Sequence, residues 1–532
     1  MPTNTVAEAI MTTVANYGID TVFGIPGTHN VELYRPLKPL GLTAVTTRHE
    51  QGAGYAADAW SQRTGLPGTV ITTSGPGLLN ALSAAATAYC ESRPMLVLSP
   101  GAPTGSENSD VGALHETRNP TGAVGALIVE SHRAASAADA VVQIHAAFEL
   151  FATRRPRPFH LEVPLDILDS SQVFDEPALA AREFVPPRAA APGDIFAAGD
   201  ALAGAASPMI IAGGGATSAT VEVRALAEKL QAPVATSVNG KGTLPEDHPL
   251  SLGASLRFGP VLTWCNEADV LLVVGSKVGE SELWGGTIER TGPTIRIDID
   301  PGQLDMNIAG DIHLHGDSAW ALGELLAGLE KEHPELTRAP VDLAEQKRTV
   351  RECALAESPA SAGIVQAIAQ ALPSETLIAG DSSQVTYLAT VNLIPAVEPG
   401  QLLYMPAYAT LGYGLPAAIG GKVADPDRPV CCIVGDGALM FSLQEMMTAV
   451  EQQLAITLIC VDNGGYGEIR TNMLEADIEP VGVDLAQPDW AKLAESFGFT
   501  ATSVTSTADL PAVVGRHIAM TGPNFIHVKT GN

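Results

Sequence analysis

Short apolar runs of strand length recur along the chain, and longer segments with apolar residues at helical spacing separate them. They fall into three blocks: TVFGI, GTVITTS and RPMLVLSP; PMIIAGG, ADVLLVVGS and TIRIDID; ETLIAGD, PVCCIVGD and ITLICVD. Such alternation predicts βαβ units and parallel sheets. Between the blocks lie two stretches of linker character, residues 169–194 with EFVPPRAAAPGD, and the charged, helix-like 331–359. The expected organisation is an α/β chain of three doubly wound domains with mostly parallel sheets, at residues 1–170, 191–332 and 358–532. The first and third blocks are candidates for two copies of one fold.

At 46% hydrophobic and 17% charged, the composition excludes disordered and fibrous classes. With 30 basic and 59 acidic residues the net charge is −29, a field that repels nucleic acid and anionic lipid, so neither is an expected partner. Six cysteines without a C-x-x-C pair read as buried thiols in a reducing cytoplasm. The amino terminus lacks a basic leader, and no apolar run approaches the roughly 18 residues of a membrane span, so a cytoplasmic location is expected.

Polar chemistry gathers at the ends of the strand-like runs. After RPVCCIV comes Gly435-Asp436-Gly437, then the amphipathic LMFSLQEMMTAVEQQ, predicted as a helix, then ITLICV ending in Asp462-Asn463-Gly464-Gly465. This βαβ reading sets both clusters at the carboxyl ends of neighbouring parallel strands, where open α/β sheets bind ligands. A carboxylate and an amide oxygen on converging loops form a hard-oxygen site suited to Mg²⁺ or Ca²⁺, completed by phosphate oxygens. GDG alone is a common turn; the pair at this spacing is the stronger signal. In the first block Glu50 sits at the start of the small-residue helix QGAGYAADAWSQRTG, where capping the helix dipole is the plain reading.

Together these motifs resemble those of thiamine diphosphate enzymes. The block GDG…DNGG carries Asp462 where that family usually has a first asparagine, and leaves Asn463 intact. The resemblance implies thiamine diphosphate and Mg²⁺ as cofactors, with Asp436, Asn463 and the Gly465 carbonyl on the metal and Gly435, Gly437 and Ala438 against the cofactor. It also implies that Glu50, in RHEQGAG, hydrogen-bonds the aminopyrimidine and so promotes loss of the thiazolium C2 proton. Thr73 in TSGPG, Asn80, His29 in GIPGTH and His115 in ALHE would surround the reacting carbon. Ser382, Ser383 and Gln384 would meet the diphosphate, Leu411 would wedge the cofactor into a bent shape, and the Ala409 carbonyl would accept from its amino group. The similarity runs over residues 5–530.

In the middle block Gly213-Gly214-Gly215 follows a strand but lacks the G-x-G-x-x-G spacing, and Asp298 and Asp300 are too distant for the ribose partner, so a structural turn is expected. GSKVGESELWGG and SLRFGP lack the basic pattern of the flavin contacts in acetolactate synthases, so FAD is not expected. His313 and His315 share a strand face without a third ligand and read as polar strand residues.

GIPGTHNVELYRPL, TTRHEQGAGYAADAW and IRTNMLEADIEPVGV look most like the 5-guanidino-2-oxopentanoate decarboxylase branch, which lies near the acetolactate synthases. GIPGTH is also similar to benzaldehyde lyase, and N-G-x-Y-G-x-x-R to benzoylformate decarboxylase, although Thr73 stands where the latter has its catalytic histidine. The implied activity is non-oxidative decarboxylation of a 2-oxo acid, with Glu50, His29 and His115 as catalytic residues and carboligation as a second fate of the product carbanion. An acetolactate-synthase-like carboligase acting on pyruvate is the alternative; a non-catalytic cofactor-binding subunit is a third reading, which Glu50 opposes. Glu468, Glu475, Asp477 and Glu479 would suit a substrate with a cationic tail. By the same resemblance the chain is expected to form a homodimer or homotetramer with active sites between subunits.

Overall fold

A computed structural model describes residues 3–530. Among them the strands form three six-stranded sheets, all parallel, and one two-stranded antiparallel pair. Every one of the nine apolar runs marked above is a strand, for example Thr21–Gly24, Met209–Ala212 and Val430–Gly435. The antiparallel pair joins Thr3–Thr5 to Ser171–Val173, so the stretch after the first sheet returns to the amino terminus before crossing to the middle domain. Numbered within each sheet in chain order, the first and third sheets share the strand order 2-1-3-4-6-5, and the middle one is 3-2-1-4-5-6.

That order decides where ligands can bind. In the first sheet the order reverses between Thr21–Gly24 and Gly68–Ile71; in the third it reverses between Leu377–Gly380 and Val430–Gly435. Loops leaving neighbouring carboxyl ends diverge to opposite faces at such a point and open a crevice. The segments leaving these four strands are 25–30, 72–77, 381–384 and 436–439, which include His29, Thr73, Gln384 and Asp436.

The first and third domains pack through two helices, Glu50–Thr64 and Gly414–Ala424. Small residues bring the backbones together: a Cβ on Gly420 would lie 2.0 Å from the Ala56 carbonyl oxygen. Beside them the buried Arg93 joins all three domains. It donates to Asp58 at 2.6 Å, to the Tyr404 carbonyl at 2.6 Å and to Asn239 at 2.8 Å. The Tyr413 hydroxyl donates to the same Asp58 oxygen at 2.6 Å, and Glu91 accepts from Asn239, Ala407 N and Tyr408 N at 2.7–2.9 Å.

Two expectations need correction. The helix predicted over LMFSLQEMMTAVEQQ is interrupted: after the turn Asp436–Leu439 the backbone bonds run three residues apart, Phe441 N to Ala438 O and Glu445 N to Ser442 O, before a helix at Glu445–Glu451. Tertiary contacts override the periodicity here, because both carboxylate oxygens of Glu445 accept from Arg48 N of the first domain at 3.1 Å and Phe441 packs over Gly412. Of the six thiols, Cys265, Cys431, Cys432 and Cys460 are buried, but Cys90 and Cys353 are only half-buried. No helix among the described residues is long and apolar enough to cross a membrane.

Candidate functional site

The first-domain half is built around the amino terminus of helix Glu50–Thr64. His49 caps that helix, its ring accepting from Gln51 N, and Glu50, 7% exposed, is the first helical residue. One carboxylate oxygen of Glu50 accepts from Asn80 Nδ2 at 3.0 Å. Gly77 faces the other oxygen so closely that a Cβ there would lie 3.0 Å from it. Asn80, expected beside the cofactor, thus also orients Glu50.

Around this carboxylate several hydroxyls are short of partners. Tyr34 OH and Thr73 Oγ1 are buried without a hydrogen bond. Burial, with Glu50 adding to it, raises the Tyr34 phenol above its ordinary pKa. His29 and His115 meet over Ser74: its Oγ lies 2.6 Å from His29 Nδ1 and 3.3 Å from His115 Nδ1, and the two rings are edge-on with centroids 5.1 Å apart. Burial and the neighbouring His115 lower the His29 pKa.

The third-domain half is a cradle of oxygens. Asp436, 1% exposed, accepts from Asn463 N at 3.3 Å through Oδ1, and its Oδ2 is buried without a partner. The Asn463 side-chain oxygen lies 3.1 Å from both Asp436 Oδ1 and the Gly465 carbonyl; turned about, the amide would donate to both. Its nitrogen otherwise donates to Gln384 Oε1 at 3.3 Å. With the amide oxygen turned inward, the cradle offers one carboxylate, one amide oxygen and one carbonyl, with Asp436 Oδ2 still unpartnered, and this donor set fits a hard divalent cation such as Mg²⁺ or Ca²⁺. Gly465 has φ +141°, and a Cβ there would fall 2.1 Å from the Val483 carbonyl, so only glycine lets this carbonyl turn inward. Burial raises the pKa of Asp436, and Asp462 adds to it.

Asp462, in place of the usual asparagine, is itself held: Oδ1 accepts from Gly464 N at 3.0 Å and Oδ2 pairs with His527 at 3.0 Å. Among the described residues no cluster of three or more His, Cys, Asp or Glu could hold a metal, in keeping with a cradle made of one carboxylate, one amide and one carbonyl. His313 and His315 are engaged elsewhere, with Asp305 at 2.9 Å and the Ile299 carbonyl at 3.2 Å.

Ser383 Oγ accepts from Gly435 N at 3.0 Å and so ties the loop after one strand to the next strand's end. Ser382 is half-buried beside it; Gly437 lies against Tyr466 and the Gly465 carbonyl, and Ala438 is buried. Gln384 Nε2 and Tyr387 OH both donate to Glu468 Oε2, at 2.9 and 3.1 Å. Glu475, Asp477 and Glu479 are exposed on the segment that follows. Ala409 holds a left-handed φ of +52° and Leu411 is half-buried.

Asp381, at the head of the expected diphosphate loop, has a role that sequence did not reveal. Wholly buried, it accepts from Ser382 N, Gly412 N and Gly414 N at 2.7–3.1 Å, which fixes the turn that carries Leu411. Burial pushes its pKa up to about 6. The signal available was its place directly after an apolar strand. Glu445 is a further positioning group that sequence reasoning passed over, and Ser74, legible only as part of the TSGPG loop, is another. In the middle domain Gly213–Gly215 do form a packed turn, with Gly213 against the Gly275 carbonyl, and Gly214 and Gly215 border a cavity of about 490 Å³ that also touches Arg155 and Lys277. Among the described residues no hydrogen bond links the Glu50 group of side chains directly to the Asp436 group.

Two half-sites at the switch points of two sheets with the same strand order, one presenting a carboxyl at a helix start and the other a cation cradle, define a class that binds one elongated, phosphate-bearing cofactor by both ends. Family comparison agrees. Residues 4–123 match the N-terminal TPP binding domain of thiamine pyrophosphate enzymes, residues 195–325 their central domain, and residues 381–528 their C-terminal TPP binding domain. The chain is 38% identical over 498 residues to the probable 2-ketoarginine decarboxylase AruI of Pseudomonas aeruginosa, covering 93% of this chain and 89% of that protein. It is 30% identical to the probable acetolactate synthase large subunit of Methanocaldococcus jannaschii, over 98% of this chain and 91% of the relative. Acetolactate synthase isozyme 1 large subunit of Escherichia coli is likewise 30% identical, over 98% and 93%. The chain belongs to the thiamine diphosphate enzyme family.

Proposed function

We propose that this enzyme carries out Mg²⁺-dependent, non-oxidative decarboxylation of a 2-oxo acid with a cationic tail, of the 5-guanidino-2-oxopentanoate type. The observation that carries the substrate reading is Glu468, whose carboxylate Gln384 and Tyr387 hold beside the cradle with one oxygen still free of side-chain partners among the described hydrogen bonds. A guanidinium pairs with such a carboxylate through charge-assisted bonds worth roughly 1.5–3 kcal/mol. The 2-ketoarginine decarboxylase among the relatives supports it.

Asp436, Asn463 and the Gly465 carbonyl would hold the metal, and Ser382, Ser383, Gly435, Gly437 and Ala438 would meet the diphosphate. Leu411 and the Ala409 carbonyl would support the middle of the cofactor, and Thr73 and Asn80 would line its pyrimidine end. Bound there, thiamine diphosphate supplies a nucleophilic carbon for the keto group and an electron sink as CO₂ leaves. Glu50 holds a proton at the pyrimidine end, and Asn80 fixes its direction. His29 and His115 orient the keto oxygen and move the proton that completes the product. The active unit is at least a homodimer, with each centre taking Glu50 from one chain and Asp436 from another.

The test is product analysis with 5-guanidino-2-oxopentanoate, pyruvate and benzoylformate, repeated with Glu468→Gln. The guanidino acid should give the highest kcat/KM, and Glu468→Gln should cost it about 10-fold or more while leaving pyruvate nearly unchanged. A tenfold preference for pyruvate, with acetolactate as product, would replace this reading with the carboligase one, which the two acetolactate synthases among the relatives favour.

A further inference from the structure

We infer that Ser74 couples the tautomers of His29 and His115, so that of their two Nε2 atoms one always carries a proton and the other is bare. The inference deepens the decarboxylase reading and, for its catalytic meaning, rests on it. Its physical content stands on hydrogen-bond arithmetic alone.

Ser74 Oγ lies between two Nδ1 atoms, 2.6 Å from that of His29 and 3.3 Å from that of His115. A serine hydroxyl has a single proton, and Nδ1 of a neutral imidazole is either a donor or an acceptor. If the hydroxyl donates to one ring, the other can bond to it only as an N–H donor. With both contacts made, one ring carries its proton on Nε2 and the other on Nδ1. Neither Nε2 has a protein partner among the described hydrogen bonds, so one is free to donate and the other to accept.

Backbone geometry shows that the meeting is built in. His115 adopts φ +60°, a left-handed conformation that costs a β-carbon residue roughly 1–2 kcal/mol, and its carbonyl accepts from Thr117 Oγ1 at 3.1 Å. Gly75, next to Ser74, also has φ +60°, and a Cβ there would come within 2.6 Å of the His115 carbonyl oxygen. The loop bearing His115 thus reaches Ser74 only because residue 75 is glycine.

The arrangement moves protons without a net change of charge. Take His29 with Nε2–H and His115 with Nδ1–H. As His29 Nε2 gives its proton to the substrate carbon, His29 Nδ1 takes the Ser74 proton, Ser74 Oγ takes the His115 Nδ1 proton, and His115 Nε2 takes one from water, whose hydroxide passes to solvent and is taken up by the released CO₂ as bicarbonate. Both rings end neutral with their tautomers exchanged. An imidazolium is avoided throughout, which suits a site where burial and the adjacent ring lower the His29 pKa. The Asp169 charge acts on His29 in the opposite direction.

The experiment is ¹⁵N NMR of the histidine-labelled, full-length protein near pH 8, with the two rings assigned through His29→Asn and His115→Asn. The wild type should show opposite tautomers at positions 29 and 115, and Ser74→Ala should return both to Nε2–H. Ser74→Thr, which keeps the hydroxyl, should retain the opposition. Ser74→Ala should also lower kcat by about 10-fold or more with little change in KM, the scale expected when proton transfer loses its support. Identical tautomers in the wild type, or an unchanged opposition in Ser74→Ala, would overturn the inference. Because the spectra need no substrate, opposed tautomers in a protein that decarboxylates no 2-oxo acid would sink the proposed function and leave the coupling standing.

Discussion

The junction around Arg93 and the cradle around Asp436 are both buried clusters of polar groups, yet they are finished differently. At the junction the Arg93 charge meets Asp58, and two hydrogen bonds from Arg93 reach the middle and third domains. In the cradle Asp436 Oδ2 has no partner, and its Oδ1 and the Gly465 carbonyl both lie 3.1 Å from the end of the Asn463 amide. At the junction the charges are paired within the chain, Asp58 Oδ2 taking both Arg93 and Tyr413 while only its Oδ1 goes without a partner. In the cradle no cationic side chain meets Asp436 among the described ion pairs, which leaves its charge to a partner from outside.

Neutralising substitutions should therefore act in opposite senses at the two places. The largest effect is expected from Arg93→Met, which strands the Asp58 carboxylate in the interior and should lower stability by about 3–5 kcal/mol in urea unfolding. A loss under 1 kcal/mol would mean that the junction is not the chief tie between the domains. Next, Glu50→Gln should leave the unfolding midpoint nearly unchanged and cut turnover by about 100-fold or more. Mixing it with an equally inactive Asp436→Asn chain should restore part of the activity if each centre draws on two chains; a fully active monomer in sedimentation would refute that arrangement.

The smallest effect carries the sharpest sign. Without metal or cofactor, Asp436→Asn should stabilise the protein by about 1 kcal/mol, since it removes an unpaired buried charge, while it abolishes tight cofactor binding. It should also remove a pH dependence. The folded-state pKa of Asp436 is raised by burial, so its contribution to stability is fully present below the unfolded pKa and is lost as pH rises through the folded one. The wild type should lose ground to Asp436→Asn over that interval, and a gain instead would show that the carboxylate is paired after all.

What could be read from sequence follows the same division. The apolar runs declared themselves because their strands are buried on both faces, as Val430–Gly435 and Ile456–Asp462 are. Pro158–Pro164 is equally buried but was missed, because His160 and Glu162 interrupt the apolar pattern; in the structure Ser99 and Ser131 satisfy His160, each at 2.8 Å, and Arg133 pairs with Glu162. The edge strand Leu402–Leu403 is too short to register as a pattern at all. Candidate site residues at strand ends lie in recognisable motifs, whereas Asp381 and Glu445 work through backbone amides distant in sequence, and no local string announces such a bond.

The close approach of Gly420 to Ala56 has a mechanical meaning. Helix Glu50–Thr64 starts with the first-domain carboxylate, and helix Gly414–Ala424 follows directly on the turn bearing Leu411, so the two half-sites of one chain are mounted on a common strut with no slack in its middle. In a dimer whose centres each take one half from either chain, every strut runs from one centre to the other. A single methyl group at position 420 would lengthen both gauges at once, and efforts to retune the substrate are better aimed at the segment around Glu468, which lies outside the strut.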